Sequence, residues 1–554
     1  VVLGGAVMPN THPPSPQQSA IYSWVGSGDG NLIIQAGAGT GKTSTLMGVL
    51  ERVAGSVALM AYNVPIVREL ESRVAVARQA GLIGPQTRIT VKTAHGFGNS
   101  AWWRVNPNTE IADGRKKHKG AIMADRLKVP EQLREFAIKL YDQSRQAGFG
   151  LDPAKPMVKD LAPHWRELID HYGTDACLVD ADLFQVPGLV PEGDADSWEE
   201  SGLQQAVALG VHHAARLVIG GAKWAMEDGG LIDFEDMIFQ PLIRRAQFQQ
   251  YDWVLVDECQ DLNYTRLRLA QAMLRPGGRA VFVGDRNQAI YGFGGADAAA
   301  MDTIKRVFGA ATLPLSVSYR CPRRVVQEAQ KWVPSIEAAP EAVEGAVERL
   351  DEADWILSDL TPGVDAVLCR NNAPLVKLWF RLARAGVRAQ IQGSDIGAGI
   401  VALVGRWKVQ TVGQLLSRLR KYEERELQKA AKAKDDARGE RVTDTVGIIL
   451  ATLGGLEPGD DVAVAMRRIG DMFDPQNRGP VVVLSSIHRS KGREWDRVWW
   501  YGAEQLSPSP WAKKGWQVEQ EANLQYVAAT RAKRELWLVE MEGREAGGRK
   551  KGLK

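Results

Sequence analysis

The chain has 554 residues, 45% of them hydrophobic and 24% charged, with a formal net charge of +3 from 69 basic against 66 acidic side chains. That length allows three or four domains, and the composition excludes a disordered, collagen-like or low-complexity chain. The charge balance is too even to announce a polyanionic partner by itself, and no apolar run reaches the roughly 18 residues that span a bilayer.

Four cysteines, Cys177, Cys259, Cys321 and Cys369, lie far apart with no CxxC pair. This argues against a disulfide framework or a zinc site and fits a reducing cytoplasm. The apolar opening Val1–Val7 lacks a basic leader and is not expected to be a secretory signal; Met8 is a candidate natural start.

Seven short apolar runs predict strands: Leu32–Ile34, Val57–Met60, Trp253–Val256, Ala280–Val283, Ala366–Leu368, Val481–Leu484 and Arg497–Trp500. Most end in a polar or glycine-bearing block followed by a helical pattern. Runs of this kind read as buried parallel strands of an α/β fold whose ligands sit at strand carboxyl ends. Two stretches break the rhythm and read as helical insertions. Residues 99–230 carry Trp102-Trp103-Arg104 and the basic run Arg115-Lys116-Lys117-His118-Lys119, and residues 394–479 contain a charged helical segment from Gln414 to Arg441 with i,i+4 pairing. The end, Gly543–Lys554, is rich in Gly, Lys and Arg and is expected to be a flexible basic tail.

After the first run comes Ala36-Gly37-Ala38-Gly39-Thr40-Gly41-Lys42-Thr43, opening a helix. Strand, glycine spacing and helix together are the context of a phosphate-binding loop, in which backbone N–H groups and a helix N-terminus face the phosphates. Lys42 would neutralise the β- and γ-phosphates and Thr43 would ligate Mg²⁺. The run ending at Val256 delivers Asp257 and Glu258; Asp257 is the candidate Mg²⁺ acid and Glu258 the candidate base that polarises the attacking water.

Further blocks follow in order: Asp257 to Asn263, Gly284-Asp285-Arg286-Asn287-Gln288-Ala289-Ile290-Tyr291-Gly292-Phe293, Tyr319-Arg320, Ile487 to Trp495, and Tyr526 to Ala532. With Pro16-Gln17-Gln18 and Thr93-Ala94-His95-Gly96-Phe97 upstream, they resemble the motifs of superfamily 1A DNA helicases, the UvrD/Rep/PcrA group, over residues 16 to 540. Ala61-Tyr62-Asn63 and Asn523 to Ala528 resemble the F-box DNA helicase and recombination-helicase branch more closely than UvrD.

The resemblance implies two RecA-like cores. The first is expected over 1–98 and 231–300 with the insertion 99–230, and the second over 301–393 and 480–542 with a reduced insertion at 394–479. Gln18 resembles the adenine-reading glutamine, Tyr319 an adenine-stacking ring, Gln288 the γ-phosphate sensor, and Arg320 and Arg531 the arginine fingers of the second core. Arg73 falls where the family has another phosphate-contacting arginine, and Glu494 resembles the ribose-contacting glutamate. Tyr62, Tyr291 and Phe293 fall at stacking or wedge positions, while Asn63, Thr93, His95, Ser486 and His488 complete the candidate DNA contacts.

Two departures stand out. Val64-Pro65 replaces the usual lysine after Asn63, and Phe293-Gly294-Gly295-Ala296 lacks the usual arginine; both remove a positive charge from the expected DNA track. The resemblance implies an ATP- and Mg²⁺-dependent 3′→5′ motor on single-stranded and tailed duplex DNA, monomeric or assisted by an accessory protein, in the cytoplasm, nucleoid-associated or in a host cell if viral. Alternatives are a translocase that displaces bound proteins and the motor subunit of a helicase–nuclease complex.

Overall fold

All seven apolar runs form strands, and every pairing between the named strands is parallel. In the computed structural model the described residues are 13–27, 30–112, 118–151, 162–172, 174, 178, 186, 195–290, 299–432, 436–473, 479–510 and 512–542. The candidates Tyr291 and Phe293, the basic residues Arg115, Lys116 and Lys117, and the tail 543–554 lie outside them. The chain divides into two compact units, one comprising residues 1–36 and 41–315, the other 37–40 and 316–554.

The first unit holds β1 (Leu32–Ala36), β2 (Ser56–Ala61), β3 (Arg88–Thr93), the short pair β4 (Glu110–Ile111) and β5 (Leu231–Ile232), then β6 (Tyr251–Val256), β7 (Leu274–Gly284) and β8 (Ala311–Leu315). Six of these make one sheet in the order β3-β2-β6-β7-β1-β8. Its central strands are buried on both faces, so successive residues feed opposite cores. Ile33, Met60, Val254 and Phe282 pack on one side, and Ile34, Leu59, Leu255 and Val281 on the other. This is why these strands read as unbroken apolar runs. Because β8 pairs with β1 over Leu32–Ala36, the first core runs to Leu315 instead of stopping at residue 300.

Between β4 and β5 lie helices over Lys119–Arg126, Glu131–Gln146, Ala162–Tyr172 and Ala195–Trp224, with a core of their own that includes Leu133, Phe136, Leu140, Leu217 and Phe239. Under that core sits a buried ionic cluster. Arg145, 1% exposed, pairs with Asp233 at 2.7 Å, Asp236 at 3.0 Å and Asp142 at 2.7 Å. Lys119 pairs with Asp236 and donates to the Gly221 carbonyl at 3.0 Å. Lys119, the last residue of the basic run, therefore has its charge consumed inside the protein. His118 caps the helix that follows, its Nδ1 accepting from the Ala121 amide at 3.3 Å. Trp102 is likewise buried and donates to Thr109 at 2.9 Å.

The second unit contains the two-residue pair β9 (Val317–Ser318) and β10 (Glu337–Ala338). Its main strands are β11 (Ala346–Asp351), β12 (Asp365–Cys369), β13 (Ala389–Ile391), β14 (Val482–Ser486), β15 (Trp495–Tyr501) and β16 (Ala532–Glu540). They form a sheet in the order β11-β16-β15-β12-β14-β13. Four helices, Ser394–Arg406, Val412–Lys432, Asp436–Thr452 and Val462–Phe473, fall between β13 and β14. The charged segment expected from Gln414 to Arg441 is thus divided between two helices. Arg370, just after β12, fastens this insertion: it binds Glu440 on the third of those helices at 3.1 Å and Glu521 on the helix Gly515–Ala529 at 2.6 Å. Among the described residues no helix is long and apolar enough to cross a membrane.

Candidate nucleotide and nucleic-acid site

Parallel pairing brings the carboxyl ends of β1, β7, β6, β2 and β3 onto one edge of the first sheet, in that spatial order. The edge therefore runs from the glycine loop after β1, past Asp285 after β7 and Asp257-Glu258 after β6, to Tyr62-Asn63 after β2 and Thr93–His95 after β3. Chain order is scrambled along it, because sheet order and sequence order differ.

At the loop, Gly41 takes the left-handed conformation (φ 84°, ψ 33°) immediately before the helix Lys42–Leu50, a turn that suits a residue without Cβ. Lys42 Nζ lies 3.3 Å from both carboxylate oxygens of Glu258. Burial pulls the lysine pKa down, but Glu258, Asp285 and Asp257 outweigh it and hold the ammonium above its ordinary value. Asp257 shows the converse: burial, reinforced by Glu258, pushes its carboxyl up to about 7 against the opposing pull of Lys42. Asp285 is raised too, burial again dominating. Three acids thus share one lysine, an excess of buried negative charge whose hard oxygens suit a small divalent cation.

Hydrogen bonds lock this arrangement. Glu258 sits at φ 51°, ψ 45°, a region costly for a residue with a side chain, with its amide donating to Asp257 Oδ1 at 2.9 Å. Gln260 bridges two strands' ends: its Nε2 donates to Glu258 at 2.5 Å and its Oε1 accepts from the Asp285 amide at 3.0 Å. Gly284 leaves room for this bridge, since a Cβ there would stand 2.4 Å from Gln260 Oε1. Asp285 in turn accepts from Gln288 Nε2 at 2.6 Å. The sensor candidate is therefore connected to the base candidate through Asp285 and Gln260, two residues that sequence reading quoted within motifs but gave no role. The signal available was the spacing of Gln288 three residues after Asp285.

The other candidates of the first unit have partners within the protein. Gln18 forms a reciprocal capping box with Ser15, accepting from the Ser15 amide at 3.0 Å, while its Nε2 donates to Thr45 at 3.1 Å. Asn63 and Thr93 cap the helices Val64–Gln79 and Ala94–Trp102. Arg73 is gripped by Glu69 one turn earlier, at 2.8 and 3.0 Å. Tyr62 is 41% exposed. His95 meets Phe234 edge-on at 5.7 Å, and burial, with Arg266 adding to it, pushes its imidazole down to about 4.

In the second unit Arg320 and Arg531 lie close enough to perturb one another. Arg531 is buried and donates to the Val527 carbonyl at 2.9 Å, the Arg493 carbonyl at 3.1 Å and Thr530 Oγ1 at 3.2 Å. Burial, and then the charge of Arg320, pushes it down to about 10. Arg320 donates to the Thr530 carbonyl at 2.8 Å and pairs with Glu494 at 3.1 Å, so the glutamate expected on a ribose here holds a guanidinium. Tyr319 is half exposed. Ser486 ends β14 and starts the short helix Ile487–Ser490, on which burial, then Arg370, pushes His488 down to about 3.

The family model described as an AAA domain matches residues 17–294, and one described as the UvrD-like helicase C-terminal domain matches residues 464–543. The chain belongs to the UvrD/Rep-like superfamily 1A helicases. Among UvrD-like relatives, the ATP-dependent DNA helicase UvrD2 of Mycobacterium tuberculosis is 27% identical over 382 residues, 58% of this chain and 53% of the relative. DNA helicase II of Haemophilus influenzae is 26% identical over 193 residues, 30% and 26% of the two chains, and the putative ATP-dependent DNA helicase YjcD of Bacillus subtilis 23% over 392 residues, 65% and 46%. The matched region spans about half the length of UvrD2. For a UvrD-like helicase, the first match takes in Lys42, Asp257, Glu258 and Gln288, and the second Ser486, His488, Glu494 and Arg531.

Proposed function

We propose that the chain is an ATP-driven motor that moves 3′→5′ along single-stranded DNA and unwinds duplex. The observation that carries this reading is the Lys42–Glu258–Gln260–Asp285–Gln288 chain, which joins a phosphate-binding lysine to a base and a sensor on one sheet edge. Lys42 and the amides of residues 37–43 bind the phosphates. Glu258 orients the attacking water and takes its proton, and Gln288 reads the γ-phosphate. By the resemblance, Arg320 and Arg531 are the candidates for stabilising the charge that develops on the transferred group.

Thr43 and Asp257 would hold Mg²⁺, which when bound offsets the charge on the phosphate oxygens. Oxygen donors and buried excess acid fit that ion, and one or two protein ligands beside phosphate oxygens is its usual pattern. Tyr62, His95 and Thr93, farther along the same edge, are the strand-binding end. The 3′→5′ direction rests on the resemblance of Gln288-Ala289-Ile290-Tyr291 to the 1A group.

The test is ATP hydrolysis with and without single-stranded DNA, beside Glu258→Gln, followed by unwinding of 3′- and 5′-tailed duplexes. DNA-stimulated turnover lost by about 10²–10⁴-fold in the variant, with opening from 3′ tails, is the expected result. Turnover indifferent to DNA, or opening from 5′ tails alone, overturns the reading.

A further inference from the structure

The two motif departures, Val64-Pro65 and Phe293 to Ala296, leave the strand-binding end short of cations. The structure puts one there from outside the motifs. Arg266, on the helix Tyr264–Met273, is among the described residues the one cation lining a pocket that it shares with Tyr62, His95 and the acids Asp257, Glu258 and Asp261. Its Nε is buried without a hydrogen-bond partner, and its Nη2 comes only within 3.7 Å of Glu235 Oε1, beyond hydrogen-bonding distance. Glu235 Oε2 is also buried and unpartnered, so the two groups neutralise one another only in part.

His95 Nε2, on the same pocket, is a third buried polar atom without a partner. Buried polar groups are normally hydrogen-bonded. A guanidinium only partly neutralised by Glu235 and an imidazole nitrogen without a partner, beside a half-exposed tyrosine, match an oxyanion flanked by a stacked base.

We propose that Arg266, together with His95, binds a backbone phosphate of single-stranded DNA next to Tyr62, supplying the charge that the two motifs lack. This rests on the single-stranded DNA reading above.

The test is binding of a fluorescein-labelled oligo-dT, followed by anisotropy across a salt series without nucleotide. Arg266→Ala should bind about tenfold more weakly, and its slope of log K against log salt should be shallower by about 0.7, the counterion share of one single-strand phosphate contact. Arg266→Lys should keep the wild-type slope because the charge is retained. Glu235→Gln, which releases Arg266 from its carboxylate, should bind more tightly.

A wild-type slope in Arg266→Ala overturns the proposal. So does an equally shallow slope in Arg266→Lys, which would trace the loss to packing and not to charge. Wild-type protein that shows no salt-dependent oligo-dT binding would fail the motor reading itself, whereas intact wild-type binding with an unresponsive Arg266→Ala fails this inference alone.

Discussion

The two sheets share a parallel architecture and use its edges differently. In the first, the candidate phosphate loop, the acids and, among the described residues, the candidate DNA contacts all lie at the carboxyl edge. In the second, Ser486 and His488 follow β14 at its carboxyl end, while Glu494 and Arg531 immediately precede β15 and β16 at their amino ends. The chemistry is also inverted: one lysine among acids in the first, two neighbouring arginines with one paired carboxylate in the second. The lesson is that a repeated fold does not repeat its site. The first unit gathers its lysine and its acids on one edge, whereas the second separates its arginines from its Ser486–His488 corner by the length of the strands.

The sharpest way to break this comparison is to remove an arginine. Arg531→Ala or Arg320→Ala should lower DNA-stimulated turnover by about 10³–10⁵-fold while a fluorescent ATP analogue still binds. Loss of nucleotide binding in the same proportion would erase the distinction between the binding unit and the stimulating one.

The anchors of the two insertions offer a second contrast. Arg145→Ala strands Asp233 and Asp236 in a buried site and should cost roughly 3–5 kcal/mol in urea unfolding. Arg370→Ala should cost less, because Arg370 and Glu440 keep some solvent exposure. Equal losses would mean that both insertions are fastened alike.

The smallest effect concerns pH. His488 is neutral when folded and titrates at about 3, whereas the unfolded imidazole takes up its proton near pH 6.5. Stability that this residue contributes above pH 6.5 is therefore lost as the pH falls toward 3. His488→Gln should flatten that acid limb in thermal unfolding followed at successive pH values.

In the two six-stranded sheets five strands were missed in the sequence, and four of them, β3, β8, β11 and β13, are the outer strands. Arg88-Ile89-Thr90-Val91-Lys92-Thr93 and Ala346-Val347-Glu348-Arg349-Leu350-Asp351 are polar at intervals because an edge strand keeps part of its surface in water. The central strands, buried on both faces, announced themselves. The fifth, β16, opens with Lys533-Arg534-Glu535 before its apolar half. Motif residues were legible because their roles depend on local spacing. The buried place of Lys119 and that of Arg266 were not legible, because their partners Asp236 and Glu235 lie elsewhere in the chain, with no local pattern to tie them.

Glu258 carries a consequence for how this chain can drift over generations. Its backbone occupies a conformation that glycine or asparagine would hold with less strain. Substitutions that relax the fold at this position are therefore the ones that delete the proposed base, so on that proposal thermal robustness and turnover are set against each other at a single codon. A lineage selected only for durability would be expected to lose its engine there first.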